Sequence, residues 1–147
     1  MEILKEIKKI IIHHSHQNIG SVEIIREKHI YENRWEDIGY HWIIGNSNPH
    51  TEDGKLYFAR SEKFTGAHVK GENHDSIGIC LIGNLDQTSP TTKQTETLLQ
   101  FLKHKLKKHK LKIKDVFGHN EFPNVSKSCP GKFLDMKWLR RKLKKKN

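Results

Sequence analysis

Residues 7–13, Ile7-Lys8-Lys9-Ile10-Ile11-Ile12-His13, form the stretch that decides the fold of this chain. Three consecutive β-branched isoleucines favour an extended backbone and an apolar environment, so we predict a central β-strand here. The run Ser76-Ile77-Gly78-Ile79-Cys80-Leu81-Ile82-Gly83 has the same apolar character and predicts another buried strand. A sheet built around these two strands is the expected core.

Three helices are expected around that sheet. Ser21 can cap a helix that runs to about residue 33. Ser89-Pro90 begins a long helix, since proline suits the first turn. The last helix spans about residues 132–142. Its inward side chains are expected to be Phe133, Met136 and Leu139 or Leu143.

Shorter strands are expected at residues 39–44, 55–60 and 115–118. Strands mingled with helices indicate an α/β fold, with a mixed central sheet flanked by about three helices. We find no internal repeat and no linker rich in proline, serine or glycine. The sequence therefore predicts a single domain over residues 1–147, with a basic C-terminal helix and tail at about 132–147.

The chain has 147 residues and a net charge of +10. Much of the excess lies in residues 103–114 and 137–146. Such a charge implies an anionic partner, for which nucleic acid, anionic lipid and a bacterial wall all qualify. Solvated helix faces are the alternative explanation.

Targeting signals are not evident in the sequence. No apolar stretch approaches the roughly 20 residues of a membrane span. Residues 1–9 alternate charged and apolar side chains and lack the apolar core of a signal peptide. We therefore expect synthesis in a cytoplasm without a signal peptide.

Three side chains stand out as metal ligands. His13 ends the first strand, His119 follows the strand at 115–118, and Cys129 comes ten residues later. Two imidazoles and a thiolate suit Zn²⁺, and three protein ligands leave a fourth position for water. Spacing alone is weak evidence, because His13 lies more than a hundred residues before His119. Cys80, the second cysteine, is expected to be a packed apolar thiol.

The chain resembles the type 2 N-acetylmuramoyl-L-alanine amidases and peptidoglycan-recognition proteins, most of all the small amidases of phages. Six segments occur in the family's order and extend over about residues 10–135. They are Ile11-Ile12-His13-His14-Ser15, Asp37-Ile38-Gly39-Tyr40-His41-Trp42-Ile43-Ile44, Gly66-Ala67-His68-Val69-Lys70-Gly71, Asn73 to Gly83, Gly118-His119-Asn120-Glu121 and Lys127-Ser128-Cys129-Pro130.

This resemblance implies that His13, His119 and Cys129 bind zinc. His13 rather than His14 matches the family ligand, so His14 is structural or orients a ligand. Tyr40 matches the family's catalytic tyrosine and Lys127 its catalytic lysine. No glutamate stands at the Tyr40 position, where some relatives use an acidic base.

Amide hydrolysis requires charge stabilisation and proton transfer, and Lys127 and Tyr40 can supply them. Lys127 offers positive charge to the developing oxyanion, and Tyr40 can hydrogen-bond the attacking water and help move its proton. His68 and Asn73 are expected to bind substrate or to shape its cleft. A loop histidine bonded to backbone is the alternative for His68.

The implied activity is zinc-dependent hydrolysis of the amide bond between N-acetylmuramic acid and L-alanine in peptidoglycan. We expect a monomeric phage or prophage endolysin that acts on the cell wall after a membrane pore opens. A bacterial enzyme exported by a specialised system is the alternative source.

Three other functions remain to be weighed. A non-catalytic peptidoglycan-binding module is disfavoured because such relatives typically lose the cysteine ligand. Some phage amidases bind and inhibit an RNA polymerase, so a dual function is an open alternative. No motif for specific nucleic-acid binding is found, and the signature of zinc deaminases is missing.

Overall fold

A five-stranded sheet lies at the centre of the computed structural model, which describes residues 1–123, 125 and 127–145. In chain order, the strands and α-helices of these residues are β1 Lys9–His14, α1 Val22–Tyr31, β2 Trp42–Ile44, β3 Leu56–Phe58, β4 Ser76–Leu81, α2 Thr92–Lys108, β5 Val116–Gly118 and α3 Met136–Lys144. The α/β fold with a mixed sheet and three helices is therefore confirmed. Residues 146 and 147 of the expected basic tail lie outside the described residues.

The strand order in the sheet is β3-β2-β4-β1-β5. Strand β1 runs parallel to β4 and β5, with Ile12 opposite Ile79 on one side and Gly118 on the other. Strand β2 is parallel to β4, and only the edge strand β3 is antiparallel. The C-terminal ends of β1, β4 and β5 therefore meet at one edge of the sheet.

The larger core lies between one face of the sheet and helices α2 and α3. Ile10, Ile12 and Ile79 pack there with Leu98 of α2 and Leu139 of α3. Full burial of one such side chain contributes about 1.5–3 kcal/mol, so this face fixes the position of both helices. Leu143 and Met136 are also buried, as the sequence indicated.

A smaller core lies on the opposite face, where Val22 of α1, Ile43 and Cys80 pack together. The expectation of a buried Cys80 thiol is confirmed. Because in-register neighbours share a face, His13, which pairs with Cys80, points to this side. His14 points to the other side.

The ends of the helices agree with the sequence only in part. Ser21 caps α1, and its hydroxyl accepts a hydrogen bond from the Ile24 N–H at 3.1 Å. The expected start of the second helix at Ser89-Pro90 is wrong, because Thr91 caps α2 in a reciprocal capping box with Gln94.

The expected start of the last helix is also wrong. Asp135 caps α3, so Phe133 precedes the helix and its side chain is 52% exposed. The reason is a turn in which the Leu134 N–H donates to the Gly131 carbonyl, which buries Leu134 instead.

Positive charge is concentrated in the last third of the chain. Residues 103–147 contain 16 Lys and Arg but only 3 Asp and Glu. The described part of this segment includes the end of α2 and all of α3, which pack against each other. Within the described residues, no helix is both long and apolar enough to cross a membrane.

One cation of that segment is buried. Lys105 of α2 is 3% exposed, and its ammonium lies 2.7 Å from a carboxylate oxygen of Glu62. The same carboxylate accepts a hydrogen bond from the Trp42 indole at 2.5 Å. Burial alone would raise the pKa of Glu62, but the bonds from Lys105 and Trp42 lower it below its usual value.

We predict that Lys105→Ala lowers the free energy of unfolding by about 3 kcal/mol at pH 7, because it leaves a half-buried carboxylate without its cation. The pKa of Glu62 is lower in the folded chain than in the unfolded chain, where it is about 4.3. Its ion pair therefore stabilises the fold above about pH 4.3, and this stabilisation is lost as the pH falls through the lower pKa of the folded chain. The deficit of Lys105→Ala should therefore shrink toward pH 3. Urea unfolding at both pH values measures it. The exposed Lys108 gives the control, Lys108→Ala, and an equal loss in both variants would contradict the prediction.

Candidate metal centre

A cleft of about 760 Å³ opens at the edge of the sheet where β1 and β5 end. Six of the side chains that sequence reasoning assigned to the site line it together, although they come from distant segments. They are His13, Tyr40, His68, His119, Lys127 and Cys129.

The three expected ligands converge on one point. One nitrogen of His13, one nitrogen of His119 and the sulfur of Cys129 all lie within 4.8 Å of one another. His13 Nδ1 is 3.7 Å from Cys129 Sγ. Metal bonds of about 2.0 Å to nitrogen and 2.3 Å to sulfur place the donors of one tetrahedral site at about this spacing.

Backbone contacts hold Cys129 in position. Its sulfur accepts a hydrogen bond from the His14 N–H at 3.4 Å, and its carbonyl accepts one from the Asn120 N–H at 2.7 Å. Gly131 follows with φ of +113°, and a Cβ there would lie 2.5 Å from Leu85. Only glycine therefore fits this approach of the loop to Leu85, in the segment that follows β4.

The loop of His119 is fixed from α3. Glu121 accepts hydrogen bonds from the Gly118 N–H at 2.9 Å and from the Arg140 guanidinium at 2.7 Å. Arg140 also donates to the Val116 carbonyl at 2.7 Å. Sequence reasoning missed this pair, because no local pattern links residues 19 positions apart.

The charge states of the ligands suit a divalent cation. Burial lowers the pKa of His13 well below its usual value, and burial together with the positive charge of Lys127 lowers that of His119. Both imidazoles are therefore neutral at pH 7 and carry a lone pair. Burial raises the pKa of the Cys129 thiol to about 12, so a nearby cation is needed to favour the thiolate. This donor set fits Zn²⁺.

Tyr40 stands beside the ligands. Its ring centroid is 5.1 Å from that of His13. Burial, with the thiols of Cys80 and Cys129 nearby, raises the pKa of Tyr40 well above its usual value. The phenol is therefore neutral and can both donate and accept a hydrogen bond.

His29 supports Tyr40 from α1, a role that sequence reasoning missed. The buried ring of His29 accepts a hydrogen bond from the Gly39 N–H at 2.9 Å and lies 5.6 Å from the Tyr40 ring.

Lys127 is exposed at the rim of the cleft. Residues 124 and 126, which precede it, lie outside the described part of the chain. An ammonium here can reach the open side of the cleft, whereas His13 and Cys129 are buried.

His14 and His13 have separate environments, as their opposite directions require. His14 Nδ1 accepts a hydrogen bond from the Leu85 N–H at 3.0 Å. The expectation that His14 is structural agrees with this contact. His14 still borders the cleft beside His16.

The two expected substrate-binding residues lie differently. His68 borders the cleft, and its Nδ1 is 2.9 Å from His13 Nε2. Asn73 is not among the described residues that line the cleft, and its Oδ1 accepts hydrogen bonds from the N–H groups of His68 and Val69. Substrate binding by either residue stays a prediction.

The sequence is similar to known amidases and endolysins over most of its length. Residues 4–132 match the family model of N-acetylmuramoyl-L-alanine amidase. The endolysin of Escherichia phage T7 is 35% identical over 132 residues, which cover 86% of this chain and 80% of that protein.

Solved structures give the same picture. The N-acetylmuramoyl-L-alanine amidase LysC from Clostridium intestinale superposes with a TM-score of 0.83 at 27% identity, covering 96% of this chain and 87% of LysC. A chain from the ectodomain complex of peptidoglycan recognition proteins LCa and LCx, bound to tracheal cytotoxin, superposes with a TM-score of 0.77 at 26% identity. The match covers 91% of this chain and 82% of that chain.

We predict that Cys129→Ala binds Zn²⁺ at least about 100-fold more weakly than the unchanged chain, since even residues that only orient metal ligands contribute 10–100-fold. Competition with a chromophoric chelator measures the affinity. Binding of Co²⁺ should also lose its thiolate charge-transfer absorption. The matched control is Cys80→Ala, which removes the other buried thiol. Equal loss in both variants, or none in Cys129→Ala, would contradict this ligand assignment.

Proposed function

The chain belongs to the N-acetylmuramoyl-L-alanine amidase family, and we propose that it is a zinc-dependent endolysin. The bond it cleaves is the amide between the lactyl group of N-acetylmuramic acid and L-alanine in peptidoglycan. One observation carries this proposal: the donor atoms of His13, His119 and Cys129 lie within 4.8 Å of one another in a cleft that Tyr40 and Lys127 also line.

The similar proteins support the choice of substrate. An endolysin and an amidase are among them, and the recognition proteins of the cytotoxin complex are named for peptidoglycan. Since all of them cover most of this chain, a peptidoglycan fragment is the ligand that we assign to the cleft. The volume of about 760 Å³ is within the range of ligand sites.

His13, His119 and Cys129 would hold the zinc ion. When bound there, zinc would polarise the substrate carbonyl and make a water molecule acidic enough to attack near neutral pH. The two neutral imidazoles and the single thiolate leave such a site with net positive charge, which favours both effects.

Tyr40 would act on the attacking water. Its pKa is raised well above the usual value, so the phenol does not act as an anionic base at pH 7. A neutral hydroxyl can accept a hydrogen bond from the water and donate one to the substrate. In this way it orients the water and passes a proton on.

Lys127 would stabilise the negative charge that develops on the carbonyl oxygen. The water oxygen forms a bond to the carbonyl carbon, the carbon–nitrogen bond breaks, and the alanine nitrogen leaves as an amine with an added proton. Exposure at the rim lets the ammonium meet substrate without being buried beside the metal.

A peptidoglycan-binding module without activity is the second candidate, because the family includes recognition proteins. The retained thiol of Cys129 and its convergence with two histidines favour catalysis. Binding to RNA polymerase stays a prediction from the sequence resemblance, since the similar proteins described above are named for other functions. We further propose that residues 1–147 act as one domain, as a monomer, on the cell wall.

Purified protein should release stem peptides from isolated peptidoglycan, with new L-alanine amino termini and free lactyl carboxyl groups. Mass spectrometry of the products identifies the bond. EDTA should abolish the release and added Zn²⁺ should restore it, because the chelator removes the ion that would activate the attacking water. New reducing sugar ends with intact lactyl-peptide amides would instead mean a glycosidase, and binding without any product would mean a recognition module.

Lys127→Ala and Tyr40→Phe should each keep one bound zinc and lose about 10²–10⁴ in turnover, the usual contribution of a proton-transfer or oxyanion-stabilising group. Zinc content by elemental analysis and initial rates on peptidoglycan measure the two effects separately. Lys70→Ala changes an exposed lysine outside the cleft and serves as the control. Full turnover in the first two variants would overturn these roles.

A further inference from the structure

A row of buried polar groups runs from His13 through His68 to Ser76. His13 Nε2 is 2.9 Å from His68 Nδ1, and His68 Nε2 is 3.2 Å from Ser76 Oγ. The Ser76 hydroxyl in turn is 2.7 Å from the carbonyl oxygen of Glu72. All three side chains are buried, so water does not compete for these bonds.

The carbonyl at the end of the row sets the direction of every proton in it. A carbonyl oxygen only accepts, so the single hydroxyl proton of Ser76 goes to Glu72. Ser76 Oγ must then accept from His68, which places a proton on His68 Nε2. The ring is buried between His13 and Ser76, and among the described residues no carboxylate contacts it to stabilise a charged form, so it is a neutral imidazole. Its Nδ1 therefore carries a lone pair.

That lone pair accepts the Nε2 proton of His13. Neutral imidazole has one N–H only, so His13 Nδ1 is left bare. This atom faces the cleft, 3.7 Å from Cys129 Sγ. The order of donors thus selects the tautomer that can bind a cation through Nδ1.

We propose that His68 is a positioning residue that fixes the tautomer and the ring orientation of His13 for metal binding, with Ser76 and the Glu72 carbonyl fixing His68. This inference rests on the proposed function, in which His13 is a zinc ligand. It also changes the role expected for His68, because both of its ring nitrogens are engaged with His13 and Ser76 and neither is free for substrate.

Two neighbours hold His68 in this row. Asn73 Oδ1 accepts from the backbone N–H groups of His68 at 2.9 Å and Val69 at 3.0 Å, which fixes the loop. Gly78 of β4 lies against the His68 ring, and a Cβ there would be 2.7 Å from it. A glycine inside a buried strand is thus explained by the space that the ring occupies.

The test measures zinc affinity and the His13 tautomer, and it needs no activity. His68→Leu removes the acceptor, and we expect affinity to fall about 10–100-fold by chelator competition. His68→Asn returns an acceptor oxygen close to the position of Nδ1 and should recover most of that loss. Ser76→Ala leaves His68 Nε2 without its acceptor, and its zinc affinity should lie between those of His68→Leu and His68→Asn. Urea unfolding checks that each variant is folded.

Long-range ¹H–¹⁵N spectra of the metal-free protein report the tautomer directly. The unchanged chain should show His13 protonated at Nε2, and His68→Leu should show a mixture of the two tautomers. Equal affinity and an unchanged tautomer in folded His68→Leu would overturn the inference. Failure of the unchanged chain to bind zinc would overturn the proposed function instead, so the two failures are distinguishable.

Discussion

Parallel pairing of β1 with both β4 and β5 is the constraint on which the rest of the structure depends. It brings the C-terminal end of β1, with His13, next to the end of β5, which leads into His119. The polar site can form at this edge because the strands stop there, and the isoleucines below it supply the burial that keeps the edge in place. An antiparallel β5 would carry His119 to the opposite edge.

Ionisable side chains crowd together at this edge of the sheet, and hydrogen bonds from the surrounding residues hold them in place. The buried imidazole of His13, the half-buried imidazole of His119 and the thiol of Cys129 lie together, and burial disfavours the charged form of each. Hydrogen bonds fix the orientation of two of the donors. The His14 N–H donates to the sulfur of Cys129, and His68 Nδ1 contacts His13 Nε2. The side chains of His13 and Cys129 are therefore already oriented for a cation, so that binding needs less reordering of these side chains.

The basic C-terminal third has more than one physical role. Arg140 is committed to Glu121 and to the Val116 carbonyl, and through them it supports the loop of His119. Lys105 is buried against Glu62. Part of the net charge of +10 is thus structural, and only the exposed remainder of these cations is available to attract an anionic envelope surface.

The sequence by itself determined the central strands, the cap of α1 and the burial of Met136 and Leu139. By resemblance it predicted zinc binding by His13, His119 and Cys129. These follow from local patterns and from motif identity. Only the tertiary structure decided that α3 begins after Phe133, that Lys105 is buried, and that His68 contacts the ring of His13. The reason is that a hydrogen bond between residues 55 positions apart depends on strand order and register, which no local pattern encodes.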